Sequence, residues 1–164
     1  LTASSSSTLS FVDGSSDVVL DSTYPIYKFE FINIHPATDQ AALSFQANAV
    51  GGSGYNETGA DSSLSYHTTY DQAQGTAFQR LYHFIGNDND QCGVGTLFVF
   101  NPSSTTFVKN FISVGSMSHA SNYAYQYYVA GYLNTTSAID DIQFKMSSGN
   151  IDSGTIKLYG IKDS

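Results

Sequence analysis

Four histidines, one cysteine and fourteen acidic side chains are the residues of this chain with chemistry to offer. Their spacing decides what that chemistry can be. His35, His67, His83 and His119 stand far apart, and none forms the His-x-x-x-His or Cys–His spacing that presents two metal ligands from one segment. Each is expected as a hydrogen-bonded strand or loop residue. Cys92 is alone, so no intrachain disulfide and no cysteine metal site can be built. Between Gln91 and Gly93 it matches no cysteine-nucleophile signature and reads as a small apolar side chain. Gly51-Gly52-Ser53-Gly54 is neither a nucleophile elbow, which needs a glycine two residues after the serine, nor a phosphate loop, which needs a following helix. Asp88-Asn89-Asp90 opens like a calcium loop, but no bidentate Glu follows at the required distance. Asp140-Asp141 is a second partial ligand set. Solvated loop acids are the simpler expectation for both. Paired carboxylates for glycoside hydrolysis need only proximity in space, yet the acids fall in tip loops or beside turns. The expectation is a protein without a catalytic set, cofactor or metal. Asn56-Glu57-Thr58 and Asn134-Thr135-Thr136 fit the glycosylation pattern, which acts only in a secretory setting.

What stands out is tyrosine. The chain carries 12 Tyr and 11 Phe but no Trp. Tyr55, Tyr66, Tyr70, Tyr123, Tyr125, Tyr127, Tyr128 and Tyr132 exceed the needs of a small core. Tyrosine joins a flat apolar ring to a polar tip, which suits an interface with protein or a stacking surface for sugar. The competing explanation is that these are half-buried strand residues.

These residues must be positioned by strands. At 164 residues the chain is one domain's worth, able to bury about 70% of its unfolded surface. Its 14 acidic and 6 basic residues give a net charge of −8. With no basic stripe, it lacks the footprint for nucleic acid and for anionic lipid. No apolar run reaches the length of a membrane helix.

Residues 1–8 are Ser/Thr-rich and read as an arm or extended edge, leaving 9–164 as a single domain. Strands are expected at Leu9–Val12 and around Val18–Leu20. Tyr27, Phe29 and Phe31 alternate with Lys28 and Glu30, the pattern of a half-buried strand. Asn33 to Asp39, holding Pro36, reads as a loop. Leu43, Phe45, Ala47 and Ala49 face inward against Ser44, Gln46 and Asn48. A strand is possible at Leu64–Thr69. Between Ala73 and Ile85, helical spacing competes with a strand, and the strand is favoured with at most one helical turn. Residues 86–90 form a tip loop. Strands follow at Thr96–Phe100, at Thr106–Val114, central because both faces are apolar, and at Tyr123–Leu133.

The last segment, Ile139 to Ile161, reads as a hairpin. Ile142, Phe144 and Met146 share one face, and Ile156 and Leu158 repeat the period of two after a turn rich in Gly, Ser and Asn. Eight or more short strands predict an antiparallel β-sandwich of jelly-roll type.

The segments Phe31-Ile32-Asn33-Ile34-His35-Pro36-Ala37-Thr38-Asp39, Ile85 to Gln91, Phe100-Asn101-Pro102-Ser103-Ser104-Thr105-Thr106 and Met146 to Gly160 resemble a family of virion-associated proteins of marine tailed phages, cyanobacterial phages among them. That resemblance implies a non-enzymatic virion part, on the head surface or in the tail apparatus, in a family whose members can be longer. The expected partners are other virion proteins and copies of the chain itself. The alternative is a jelly-roll carbohydrate-binding module that reads a host glycan.

Overall fold

The structure, a computed structural model, describes residues 1–52, 54–63 and 74–163. Its strands are β1 (Thr2–Ser6), β2 (Leu9–Val12), β3 (Ile26–Pro36), β4 (Ala41–Ala49), β5 (Gly59–Ser63), β6 (Gln79–Ile85), β7 (Gly93–Phe100), β8 (Lys109–Ser118), β9 (Ala124–Leu133), β10 (Ile139–Met146) and β11 (Ile151–Ile161). Among the described residues there is no helix. Two antiparallel sheets form, one of seven strands in the order β1-β11-β3-β7-β8-β9-β5 and one of four in the order β2-β10-β4-β6. The result is a sandwich-like all-β fold.

The inward faces are those the alternation predicts. Tyr27, Phe29 and Phe31 of β3 are buried, as are Ile142, Phe144 and Met146 of β10. Phe144 sits at the centre, with Phe11, Phe29 and Phe31 at ring-centroid distances of 6.1, 5.2 and 5.3 Å, all edge to face. That geometry sets each ring's positive edge on its neighbour's negative face. Because these rings come from β2, β3 and β10, the cluster ties one sheet to the other. Tyr82 of β6 adds a second tie. Its ring lies over Gly95 and Gly115, paired neighbours on β7 and β8. A Cβ on Gly115 would stand 2.1 Å from the Tyr82 ring. The Tyr82 hydroxyl donates to the Val114 carbonyl at 3.2 Å. At one end the sheets join directly through a bridge between Ile85 and His119 and a Gly86 N–H to Ser118 carbonyl hydrogen bond.

Several sequence expectations need correction. The terminal segment is not a hairpin: β10 pairs with β2 and β4, while β11 pairs with β1 and β3. The turn at 147–150 therefore carries the chain from one sheet to the other, so the two apolar faces meet across the core instead of lying side by side. Of the two forms expected at the N-terminus, an arm or an extended edge, residues 2–6 take the second, an edge strand on β11 with Ala3 buried. Val18–Leu20 is not a strand; Leu20 is buried from a loop whose backbone N–H is held by Asp13. β3 runs on to Pro36 because two register shifts against β11, between Ile151 and Ser153 and between Ser153 and Thr155, absorb the irregular backbone. Ser44, Gln46 and Asn48 are buried rather than wet. Gln46 Nε2 donates to the carbonyls of Glu57, Thr76 and Ala77, so chain crosses the outer face of β4. The segment between 73 and 85 is the favoured strand, β6, and has no helical turn among its described residues. Phe84, at φ 57°, and register shifts against β4 break its alternation and mimic helical spacing. The possible strand at 64–69 lies outside the described residues.

Candidate functional site

The structure separates the tyrosines by role. Tyr66 and Tyr70 lie outside the described residues. Tyr55 is half-buried in the loop after β4. On β9 the side chains divide as the alternation requires. Tyr127 is buried and Tyr125 half-buried, while Tyr123, just before the strand, is 46% exposed. Tyr128 and Tyr132 point to the opposite face, the first exposed and the second half-buried with its hydroxyl accepting from Gln74 Nε2. Tyr127 is thus a core residue, and the set does not converge on one place.

Two surfaces result. The first is the outer face of the seven-stranded sheet. Residues directly opposite in an antiparallel ladder share a face, so the register gives its rungs. One runs Tyr159, Lys28, Phe98, Ile112, Ala130, and the next Lys157, Glu30, Thr96, Val114, Tyr128. Ile112 and Tyr128 are 46% and 43% exposed. Phe98 stacks on Phe100 at 6.5 Å. In these two rungs the charges lie on β3 and β11. Lys28 Nζ meets Glu30 Oε1 at 2.6 Å, and this bond, with Lys157 nearby, holds the Glu30 carboxyl below its ordinary value.

The second surface lies where the loop 86–92 meets the β8–β9 turn. His119, buried, stacks on Tyr123 with centroids 4.2 Å apart and 17° between planes. Its Nδ1 accepts from the Ser121 N–H at 2.9 Å, so a neutral ring carries its proton on Nε2. Tyr123 and Tyr125 meet edge to face at 5.1 Å, and the hydrogen bond with Tyr125 raises the Tyr123 hydroxyl's pKa. Gln91 is buried between the two loops and fully engaged. Its Oε1 accepts from the Asp88 N–H at 3.2 Å, and its Nε2 donates to His119 O and Asn122 Oδ1 at 3.2 and 2.9 Å. Gly86 permits this approach, since a Cβ there would meet Gln91 Oε1 at 1.8 Å. Asp90, Gln91, Ser118, Asn122, Tyr123 and Ala124 line a cleft of about 470 Å³ at this junction.

The remaining candidates do not assemble. Among the described residues no three His, Cys, Asp or Glu side chains are grouped to hold a metal. His35 meets the Asp88 carbonyl at 3.2 Å and Asp152 at 3.7 Å, His83 stacks on Tyr127, and His67 is not described. Cys92 is half-buried, its Sγ donating to Asn33 Oδ1 at 3.8 Å. Asp13, Glu57 and Asp141 are each committed to a structural hydrogen bond, with Leu20 N, Ala49 N and Asn48 Nδ2. Asp140, with one buried carboxylate oxygen lacking a partner among the described residues, has its pKa raised by burial and then by Asp141. Sequence reasoning missed Gln91, His119 and Asn122 as a group. No short-range signal links residues that far apart.

Fold and surfaces define a class, an all-β sandwich-like protein with a partly apolar sheet face and a polar cleft at one end. No family model, curated protein or solved structure matches the chain.

Proposed function

We propose that this chain is a non-enzymatic structural protein of a virus particle, a jelly roll that associates with copies of itself and with other virion proteins. The fold reading is supported by nested pairing: β1 with β11, β2 with β10, β3 with β7 and β4 with β6. Successive pairs alternate between the two sheets, as they would in a long antiparallel ribbon wound into a jelly roll. In this reading β5, β8 and β9 extend the larger sheet beyond the ribbon. The virion assignment is supported by the resemblance of the four segments in the sequence.

The observation that carries self-association is the outer face of the seven-stranded sheet. The central rungs hold Phe98, Ile112, Val114 and Tyr128, and their charges are Lys28, Lys157 and Glu30, a local sum of +1 in a chain of −8. Two copies meeting on this face bring together their apolar side chains and keep most of their acids apart. The two-fold contact is the common solution for identical chains. Sedimentation of the wild-type chain and of Ile112→Glu tests this. A dimer or larger assembly that dissociates in the variant, together with stoichiometric binding to emptied particles, is expected. A chain that stays monomeric at high concentration and ignores particles refutes the proposal.

A second reading, a carbohydrate-binding module, is favoured by one observation: the cleft beside Tyr123 joins an exposed aromatic ring to polar side chains.

A further inference from the structure

We infer that the cleft between the 86–92 loop and the β8–β9 turn is a binding site for an uncharged hexopyranose unit of a glycan, with Tyr123 as the stacking platform and Asp90 and Asn122 as the groups that read its hydroxyls. This rests on the carbohydrate-binding reading and gives it a place and a ligand class.

The cleft has the two components sugar recognition needs. A pyranose presents an apolar C–H face and a rim of hydroxyls that both donate and accept. Tyr123 supplies the aromatic partner. Its ring is fixed by the stack on His119 and the edge contact with Tyr125, yet the residue remains 46% exposed. A ring held in place before the ligand arrives loses little freedom on binding. The polar rim is also prearranged. Gln91 spends its whole carboxamide inside the protein, clamping Asn122 by its Oδ1. The Asn122 NH₂ group, the Asp90 carboxylate and the Ser118 hydroxyl make no hydrogen bond within the protein among the described residues, and all three residues line the cleft. They offer a donor, an acceptor and a group that is both, the complement of vicinal hydroxyls.

The same lining excludes other ligand classes. Among the described residues no Lys or Arg lines the cleft, while Asp90 does, and the chain carries −8 overall. Phosphate, sulfate, sialic acid and uronic acids therefore meet repulsion without a counter-charge. The cleft, about 470 Å³ and open to solvent, has the volume of a small-molecule site while leaving the rest of a glycan chain outside.

The test is a binding screen of the purified chain against immobilised neutral and acidic oligosaccharides, followed by titration of the retained ones by calorimetry. We expect neutral, hexose-containing glycans to be retained. Tyr123→Ala and Asp90→Ala should each weaken binding at least about tenfold, the loss of roughly one good contact. Tyr123→Phe, which keeps the ring, should retain it, and Tyr128→Ala on the outer sheet face should bind as wild type. Unchanged melting temperatures separate these losses from misfolding. Retention that survives Tyr123→Ala but is lost in Tyr128→Ala moves the sugar elsewhere: the site is wrong and the carbohydrate reading stands. Preference for acidic glycans overturns the ligand class. Failure to retain any glycan removes both the site and the carbohydrate reading.

Discussion

Replacing Gly115 by alanine is the sharpest test of how the two sheets are held together. The new Cβ would lie 2.1, 2.3 and 2.7 Å from three Tyr82 ring atoms, distances that atoms do not adopt. Either the ring or the strand must move. Tyr82 is fully buried, edge to face with Phe31 at 5.6 Å, and its hydroxyl reaches the carbonyl of Val114 and the hydroxyl of Ser113. Overpacking of this kind costs about 1–3 kcal/mol, and a buried hydroxyl pulled off its partners costs a further ~1–3 kcal/mol. A loss near 3 kcal/mol is expected for Gly115→Ala, about 6–12 °C in Tm for a chain of this size. Tyr82→Ala alone should cost about 3–5 kcal/mol through the cavity it leaves. The double variant should cost little more than Tyr82→Ala, because the ring that opposed the new methyl is gone. Urea unfolding of the four proteins measures the coupling, expected near ~3 kcal/mol in favour of the double variant. A Gly115→Ala protein within about 1 kcal/mol of wild type, or two additive losses, would falsify the account of Tyr82 as a wedge seated on paired glycines.

Asp140→Asn should raise stability at neutral pH. Burial and Asp141 raise the folded-state pKa of this carboxyl, so its ionised form is penalised in the fold. That penalty is absent below the ordinary value of 3.8 and grows as pH rises through the folded pKa. The gain in Tm should therefore shrink on acidification, and a pH-independent difference would contradict it. Lys109→Met should destabilise by about 1–3 kcal/mol, measured by thermal unfolding, since the buried ammonium donates to the carbonyls of Phe107 and Thr135 at 2.8 and 3.0 Å. Burial lowers the pKa of that lysine, so its own contribution should improve as pH rises toward 10.5. Gln46→Leu should loosen the segments at 57 and 76–77, seen as faster amide exchange there with β3 and β11 unaffected, because one side-chain NH₂ serves all three carbonyls. Equal exchange in both proteins would remove that role.

The alternation of apolar and polar residues determined which side chains are inside. Phe29, Phe31, Phe144 and Ile156 are buried as their spacing requires, because a pleated strand sends neighbours to opposite faces whatever it pairs with. The same reasoning could not say what lies across from a strand. Residues 139–161 look like a hairpin because a turn-rich loop joins two amphipathic strands, yet long-range partners, β4 for one and β3 for the other, claim them for different sheets. Ser44, Gln46 and Asn48 read as a wet face because nothing local shows that later chain will cover them. Tyr123, Tyr125 and Tyr127, just before and along β9, are one residue type at regular spacing, and only their place relative to the sandwich end makes Tyr127 core and Tyr123 surface. The cleft is decided by tertiary structure alone: Gln91 and Asn122 meet because Ile85 and His119 bridge the two sheets, a juxtaposition set by the winding of the whole chain.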